Sequence, residues 1–208
     1  MPDLVHQQTL YVREKYHGKP LMVSFWHQLM AVKNTHASTM LEVGVGSGFT
    51  STYLQQRGVD VTSVDIDANL EPDVVGNVLR LPFADDRFDI ACCFEVLEHL
   101  PFELFGQALL ELKRVSRQRV IFSLPDAGHS IYMGLRCPGL KPRHWLLPLH
   151  RLLPRRGGPT EPNHFWEINR MGCSLKRVVA EIESSGLQVE RTWRVPEYSY
   201  HRFFELGY

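Results

Sequence analysis

Leu41-Glu42-Val43-Gly44-Val45-Gly46-Ser47-Gly48 decides the fold of this chain. The run 39–43 predicts a buried strand that stops in a glycine turn, and the amphipathic stretch 49–57 predicts the helix that follows. Glycines at 44, 46 and 48 put no Cβ between this backbone and a neighbouring segment or ligand. Asp65 stands 21 residues after Gly44, at the end of the next apolar strand, 59–64. That is the layout of a nucleoside-binding βαβ unit.

Outward from the turn, strand and helix signals alternate. A short third strand is expected over 73–78. The run 88–94 is apolar except for Asp89, as suits a central strand buried on both faces. Pro101 can open a helix at its first turn, and Phe105, Leu109 and Leu112 then mark one face of it. A fifth strand is expected over 119–124, stopped by Pro125. A helix is expected over 174–184 with Gly186 just past its end, then strands over 187–195 and 200–206. N-terminal to the turn, 3–33 carries two helical stretches broken at Gly18-Lys19-Pro20. Repeated βα alternation implies a mostly parallel sheet with helices on both faces.

With 208 residues, 44% apolar and 22% charged, the composition is that of an ordinary globular protein with room for a core and a lid. Lys+Arg and Asp+Glu both number 23, so no global field draws the chain to nucleic acid. No apolar run is long enough to span a membrane, and the polar N-terminus resembles neither a secretory signal nor a transit peptide. Cys92, Cys93, Cys137 and Cys173 have neither CxxC nor zinc-ligand spacing. They read as free thiols of a cytoplasmic protein, and no metal site is expected.

A glycine turn with a downstream acid could hold NAD or another adenosine ligand. The dinucleotide pattern needs a small residue where Phe49 stands, and a P-loop needs a GK[ST] that is missing. The larger ensemble goes further. LEVGVGSG at 41–48, VTSVDID at 61–67 and NVLRLPFADDRFDIACCFEVLEHL at 77–100 resemble the class I S-adenosylmethionine-dependent methyltransferases, in the branch with small-molecule and quinone-type enzymes. The alternation and this resemblance together imply an α/β, Rossmann-like, doubly wound seven-stranded sheet, mostly parallel with an antiparallel last strand. They imply one methyltransferase domain over 1–208. Its parts are a helical cap 1–35, a cofactor-binding core 36–125, a lid or substrate insertion 126–170, and a C-terminal helix and strands 171–208.

The resemblance also implies roles. Gly44, Gly46 and Gly48 would lie under the methionine part and ribose of S-adenosylmethionine. Glu42 would organise the methionine ammonium and Asp65 the ribose hydroxyls. Asn77 and Val78 would border adenine, and Glu95 would line the cofactor. His99 would lie near the methyl end. Asp67 reads as a solvated residue or a cap, and Asp85, Asp86 and Arg87 as a solvated turn.

The stretch 126–170 breaks the rhythm, with six prolines, five glycines and three acids. Within it, 136–156 holds six Lys/Arg and no acid. A helix over 142–153 would put Trp145, Leu146, Leu149, Leu152 and Leu153 on one face and Arg143, His144, His150 and Arg151 on the other. Leu147 falls on the wrong side, and Pro148 would strain it. The segment is expected to be a basic, amphipathic lid that takes a small, lipid-like or glycan acceptor and makes transient membrane contact; nucleic acid is not expected. His164 is the candidate catalytic residue, with His99 second. Trp166, Glu167, His129 and Tyr132 are the candidate substrate contacts. The expected activity is in-line methyl transfer, with a nucleic-acid or protein methyltransferase and a non-catalytic scaffold as the alternatives.

Overall fold

The computed structural model describes residues 18–149, 159–170 and 172–208. The first of the two expected N-terminal helices lies outside them. The second is α1 (Lys19–Lys33), which carries proline in its first turn, where the missing N–H costs no helical bond. Then follow β1 (Thr39–Val43), α2 (Phe49–Gln55), β2 (Asp60–Asp65), β3 (Val74–Val75), β4 (Phe88–Phe94), α3 (Phe105–Val115) and β5 (Ser116–Pro125). A ribbon of β6 (Ser130–Leu135) and β7 (Arg143–Pro148) precedes α4 (Leu175–Ser184), β8 (Gln188–Arg194) and β9 (His201–Gly207).

Seven strands form one sheet in the order β3-β2-β1-β4-β5-β9-β8. The pairs β3–β2, β2–β1, β1–β4 and β4–β5 are parallel. Strand β9 runs antiparallel to both its neighbours, β5 and β8. This is the expected doubly wound sheet with an antiparallel last strand. Every residue of β4 is buried, and its side chains alternate between two apolar layers, as the two-residue pleat requires. Ile90, Cys92 and Phe94 meet Leu29 and Val32 of α1 and Leu54 of α2. Ala91 and Cys93 face the layer that holds Phe105, Leu109 and Leu112 of α3 and Val178 and Ile182 of α4. The expected stripe of α3 is therefore its core face.

The chain leaves β1 toward β2 and leaves β4 toward β5, on opposite sides of the β1–β4 pair. Ligands of open α/β sheets sit in the crevice that such a divergence opens at the carboxyl ends of the strands.

The structure corrects the helix expected within the lid. Residues 143–148 are not helical: they form an antiparallel ribbon with 130–135, separate from the main sheet. Pro148 cannot donate an N–H inside a helix, and the misphased Leu147 could not have shared its apolar face. In the ribbon Leu147 pairs with Ile131 and Pro148 takes the terminal position. The remainder of the expected helix, 150–153, lies outside the described residues.

What returns the excursion to the sheet is Asp126. Ala127 N–H donates to the Ile168 carbonyl and Ile168 N–H to the Pro125 carbonyl, both at 2.9 Å. The Asp126 carboxylate accepts from Gly128 N–H (2.9 Å) and Asn169 Nδ2 (2.8 Å) on one oxygen. On the other it accepts from Arg202 Nε at 2.7 Å, with Arg194 Nε at 3.6 Å. This carboxylate is fully buried, so its removal takes the counter-charge from two guanidinium groups beside it. Asp126→Ala should cost about 3–5 kcal/mol in urea unfolding, the scale of a broken buried ion pair. A cost below about 1 kcal/mol would show that the excursion is held some other way.

Candidate functional site

Two clusters meet at the carboxyl ends of β1, β2 and β4. The first is the glycine turn. Gly44 has φ +87°, and a Cβ on it would collide with Val96 after β4, so glycine is required where the two turns touch. Gly48 is also left-handed, φ +69°, and is the N-cap of α2. Asp65, at the end of β2, ties this turn to the next one: Oδ2 accepts from Val45 N–H and Oδ1 from Asp67 N–H, each at 2.9 Å. Each oxygen keeps a further lone pair. Asp67 is a cap: its carboxylate accepts from Asn69 N–H at 2.9 Å and opens the short turn Ala68–Leu70. Glu42 is 3% exposed, and its Oε2 has no hydrogen-bond partner among the described residues. Burial raises this carboxyl to about 7, against hydrogen bonds from Ser51. Asn77 spends its Oδ1 on Leu79 N–H at 2.9 Å. Val78 is buried in the core. Ile66, beside Asp65, is 72% exposed, an apolar surface the sequence reading passed over.

The second cluster follows β4. Glu95 adopts φ +53°, and the turn Leu97–His99 then carries Glu98 inward. Glu98 is fully buried, and neither carboxylate oxygen has a hydrogen-bond partner among the described residues. Burial, then the proximity of Glu95, pushes its carboxyl well above the usual range. Glu95 is itself raised by burial to about 8, and its Oε2 lies 3.5 Å from His201 Nε2. His201 Nδ1 meets Ser24 Oγ at 2.7 Å, and burial lowers this imidazole to about 3.

His164 arrives from the far end of the excursion. Its Nε2 is 3.9 Å from Glu98 Oε1, and its ring meets that of His99 edge-on with centroids 5.0 Å apart. Its Nδ1 lies 3.1 Å from Glu167 Oε1. Burial alone would raise Glu167. Hydrogen bonds from His164, from Thr160 and from Tyr200 outweigh it and hold the carboxyl at about 2.

The fold thus gathers Glu95, His99, His164 and Glu167, all anticipated from sequence, with Glu98, Tyr200 and His201, which were not. Glu98 could have been found: it sits inside the quoted EVLEHL, one residue before His99. Trp166 is corrected to an anchor. It is 4% exposed, packs on Phe102 and Phe105, and donates Nε1–H to the Leu100 carbonyl at 3.0 Å. Glu167, fully buried, is likewise a buttress for His164 and not a surface for substrate. His129 accepts Leu149 N–H on its carbonyl at 2.7 Å. Tyr132 lies on the ribbon, its hydroxyl 2.7 Å from His144 Nδ1.

Residues 41–124 match the family model of the methyltransferase domain. Over that stretch the chain is similar to the methyltransferase domain family. Among curated relatives it is 30% identical over 98 residues to an uncharacterized protein of Methanocaldococcus jannaschii, over 44% of this chain and 42% of that one. It is 32% identical over 97 residues to the ubiquinone biosynthesis O-methyltransferase of Coxiella burnetii, over 39% and 40% of the two chains. The matches therefore span about two-fifths of these relatives' length. Among solved structures, the methyltransferase fold recurs in magnesium protoporphyrin IX methyltransferase from Synechocystis PCC 6803 with bound SAH. That match has a TM-score of 0.56 and 18% identity over 97% of this chain and 83% of that one. A S-adenosylmethionine-dependent methyltransferase from Clostridium acetobutylicum has a TM-score of 0.59 and 7% identity over 88% and 91%.

Glu42 gives the fold a signed pH dependence. Its folded pKa is raised from 4.5 to about 7, so its contribution to stability is whole below 4.5 and declines as pH rises through 7. Relative to Glu42→Gln, the wild type should lose about 3 kcal/mol between pH 4.5 and 8 in urea unfolding without ligand. Parallel curves would mean that Glu42 is already paired.

Proposed function

We propose that this chain is an S-adenosylmethionine-dependent methyltransferase acting on a small or amphiphilic, anionic acceptor. The observation that carries the reading is Glu42. A buried carboxylate oxygen without a partner, two residues before a glycine turn, suits a ligand ammonium. Around it, Gly44, Gly46 and Gly48 would admit the ligand's backbone-hugging parts. The spare lone pairs of Asp65 suit a vicinal diol. Asn77, Val78 and the exposed Ile66 would border adenine, and Glu95 would close the methionine end. The whole chain is read as one methyltransferase domain. The four cysteines, none in a disulfide, support a cytoplasmic place for it.

Bound there, S-adenosylmethionine supplies an activated methyl on a sulfonium. The chain's own work would be to align the acceptor in line and to exclude water. His164 suits proton removal from the acceptor. Glu167 only accepts, so His164 Nδ1 must carry the proton and Nε2 is left as a base. His99 is second to it.

The ribbon is read as the acceptor's cover. Ile131, Met133, Leu135, Trp145 and Leu147 are each about half exposed beside Arg136, Lys141 and Arg143. That combination supports an anionic amphiphile and transient contact with an anionic membrane surface. No described helix is long and apolar enough to cross a membrane.

Two measurements test these readings. Asp65→Asn should weaken binding of S-adenosylhomocysteine in calorimetry by about 1.5–3 kcal/mol, the scale of hydrogen bonds to a charged group. An unchanged Kd removes Asp65 from the site. Vesicles of phosphatidylcholine with phosphatidylserine should sediment the protein at low salt, and less well after Arg136→Glu plus Arg143→Glu; vesicles of phosphatidylcholine alone should not. No binding to the anionic vesicles discards the membrane contact.

A further inference from the structure

Glu98, His99 and His164 form a group that the methyl-transfer reading does not fully use. One ligand atom of each lies within 4.8 Å of the others. An acidic or histidine cluster alone would mean little, and here three further observations point the same way. Glu98 is fully buried, and both its carboxylate oxygens lack a partner among the described residues. The Asn163 carbonyl, 3.1 Å from His99 Nδ1, can only accept, so it fixes the proton on Nδ1 and leaves Nε2 as a lone pair. The Glu167 carboxylate does the same for His164, whose Nε2 faces Glu98 Oε1 at 3.9 Å. An imidazole oriented by a carboxylate or carbonyl on its far nitrogen is the usual outer arrangement of a metal-bound histidine.

We propose that Glu98, His99 and His164 bind one divalent transition-metal ion, through a Glu98 oxygen and the Nε2 atom of each histidine. Bonds of about 2.0–2.2 Å bring such ligands closer together than they now lie, so the cluster contracts on binding. One carboxylate and two imidazoles suit Zn²⁺, Co²⁺ or Mn²⁺ better than Mg²⁺ or Ca²⁺, which prefer all-oxygen shells. Three protein ligands leave positions open, and His99 is exposed, so the open side is reached from solvent. An ion here would occupy the His164 Nε2 lone pair, replacing that residue's role as base, and would take an oxygen of the acceptor; that clause rests on the methyl-transfer reading, and ion binding itself does not.

The test uses tag-free full-length protein stripped with EDTA and titrated with Co²⁺, read by visible absorption, and with Zn²⁺, read by calorimetry. The expected result is one ion per chain, weakened at least about tenfold in His164→Ala and in His99→Asn, and less severely in Glu167→Gln. His99 is exposed, so its variant should fold even if the others do not. S-adenosylhomocysteine binding, measured in parallel, reports the methyl-transfer reading separately. Absence of Co²⁺ and Zn²⁺ binding in the wild type, or binding undiminished in folded His99→Asn, overturns the proposal.

Discussion

Everything at this site depends on burying carboxylates at the end of two strands that are themselves buried on both faces. Strands β1 and β4 pair in parallel in the middle of the sheet, and both apolar layers close over them. The strands are therefore desolvated, and at their ends Glu42, Glu95 and Glu98 carry oxygens with no hydrogen-bond partner among the described residues. A carboxylate in that position either takes a proton or waits for a cation, because ionisation without a partner is costly. The raised pKa values of Glu42 and Glu95 are the first outcome in the free protein. The ammonium of a bound ligand and a metal ion would be the second.

Glu167 shows what the others lack. It is as buried as Glu98, yet His164, Thr160 and Tyr200 all donate to it, and it stays ionised. Desolvation raises both carboxyls, and at Glu167 the donors outweigh it. The protein has solved the desolvation of one carboxylate internally. Asp126 is a second solved case, with Arg202, Asn169 and Gly128 around it. Both solved carboxylates hold the excursion in place. Glu42, Glu95 and Glu98, with unpartnered oxygens among the described residues, stand at or just past the carboxyl ends of β1 and β4, which is the pattern expected when a site leaves part of its polar pairing to a ligand.

The sheet was legible because its signals are local. The spans 39–43 and 88–94 coincide with β1 and β4, where an apolar run ends at a glycine turn or at Glu95. The glycine turn and its neighbour Asp65 were legible for the same reason, since they belong to one contiguous βαβ unit. The excursion was not. Its helical reading rested on a 3.6-residue spacing that Leu147 and Pro148 already violated, and pairing between 130–135 and 143–148 leaves no mark at either segment alone. Trp166 and Glu167 turn inward, and sequence alone cannot say which way a side chain turns. Glu98 was missed because a charged residue in a short turn reads as solvated until the return of His164 buries it.

The central claim is that Glu42 is the waiting counter-charge of a ligand ammonium. Calorimetric titration with S-adenosylhomocysteine at pH 6.5, in buffers of different ionisation enthalpy, tests it most directly. The account predicts that binding ionises Glu42 and releases a substantial part of one proton, roughly 0.5–1 per ligand, and that Glu42→Gln abolishes the release. Binding with no buffer dependence, or with the same release in the variant, would contradict it.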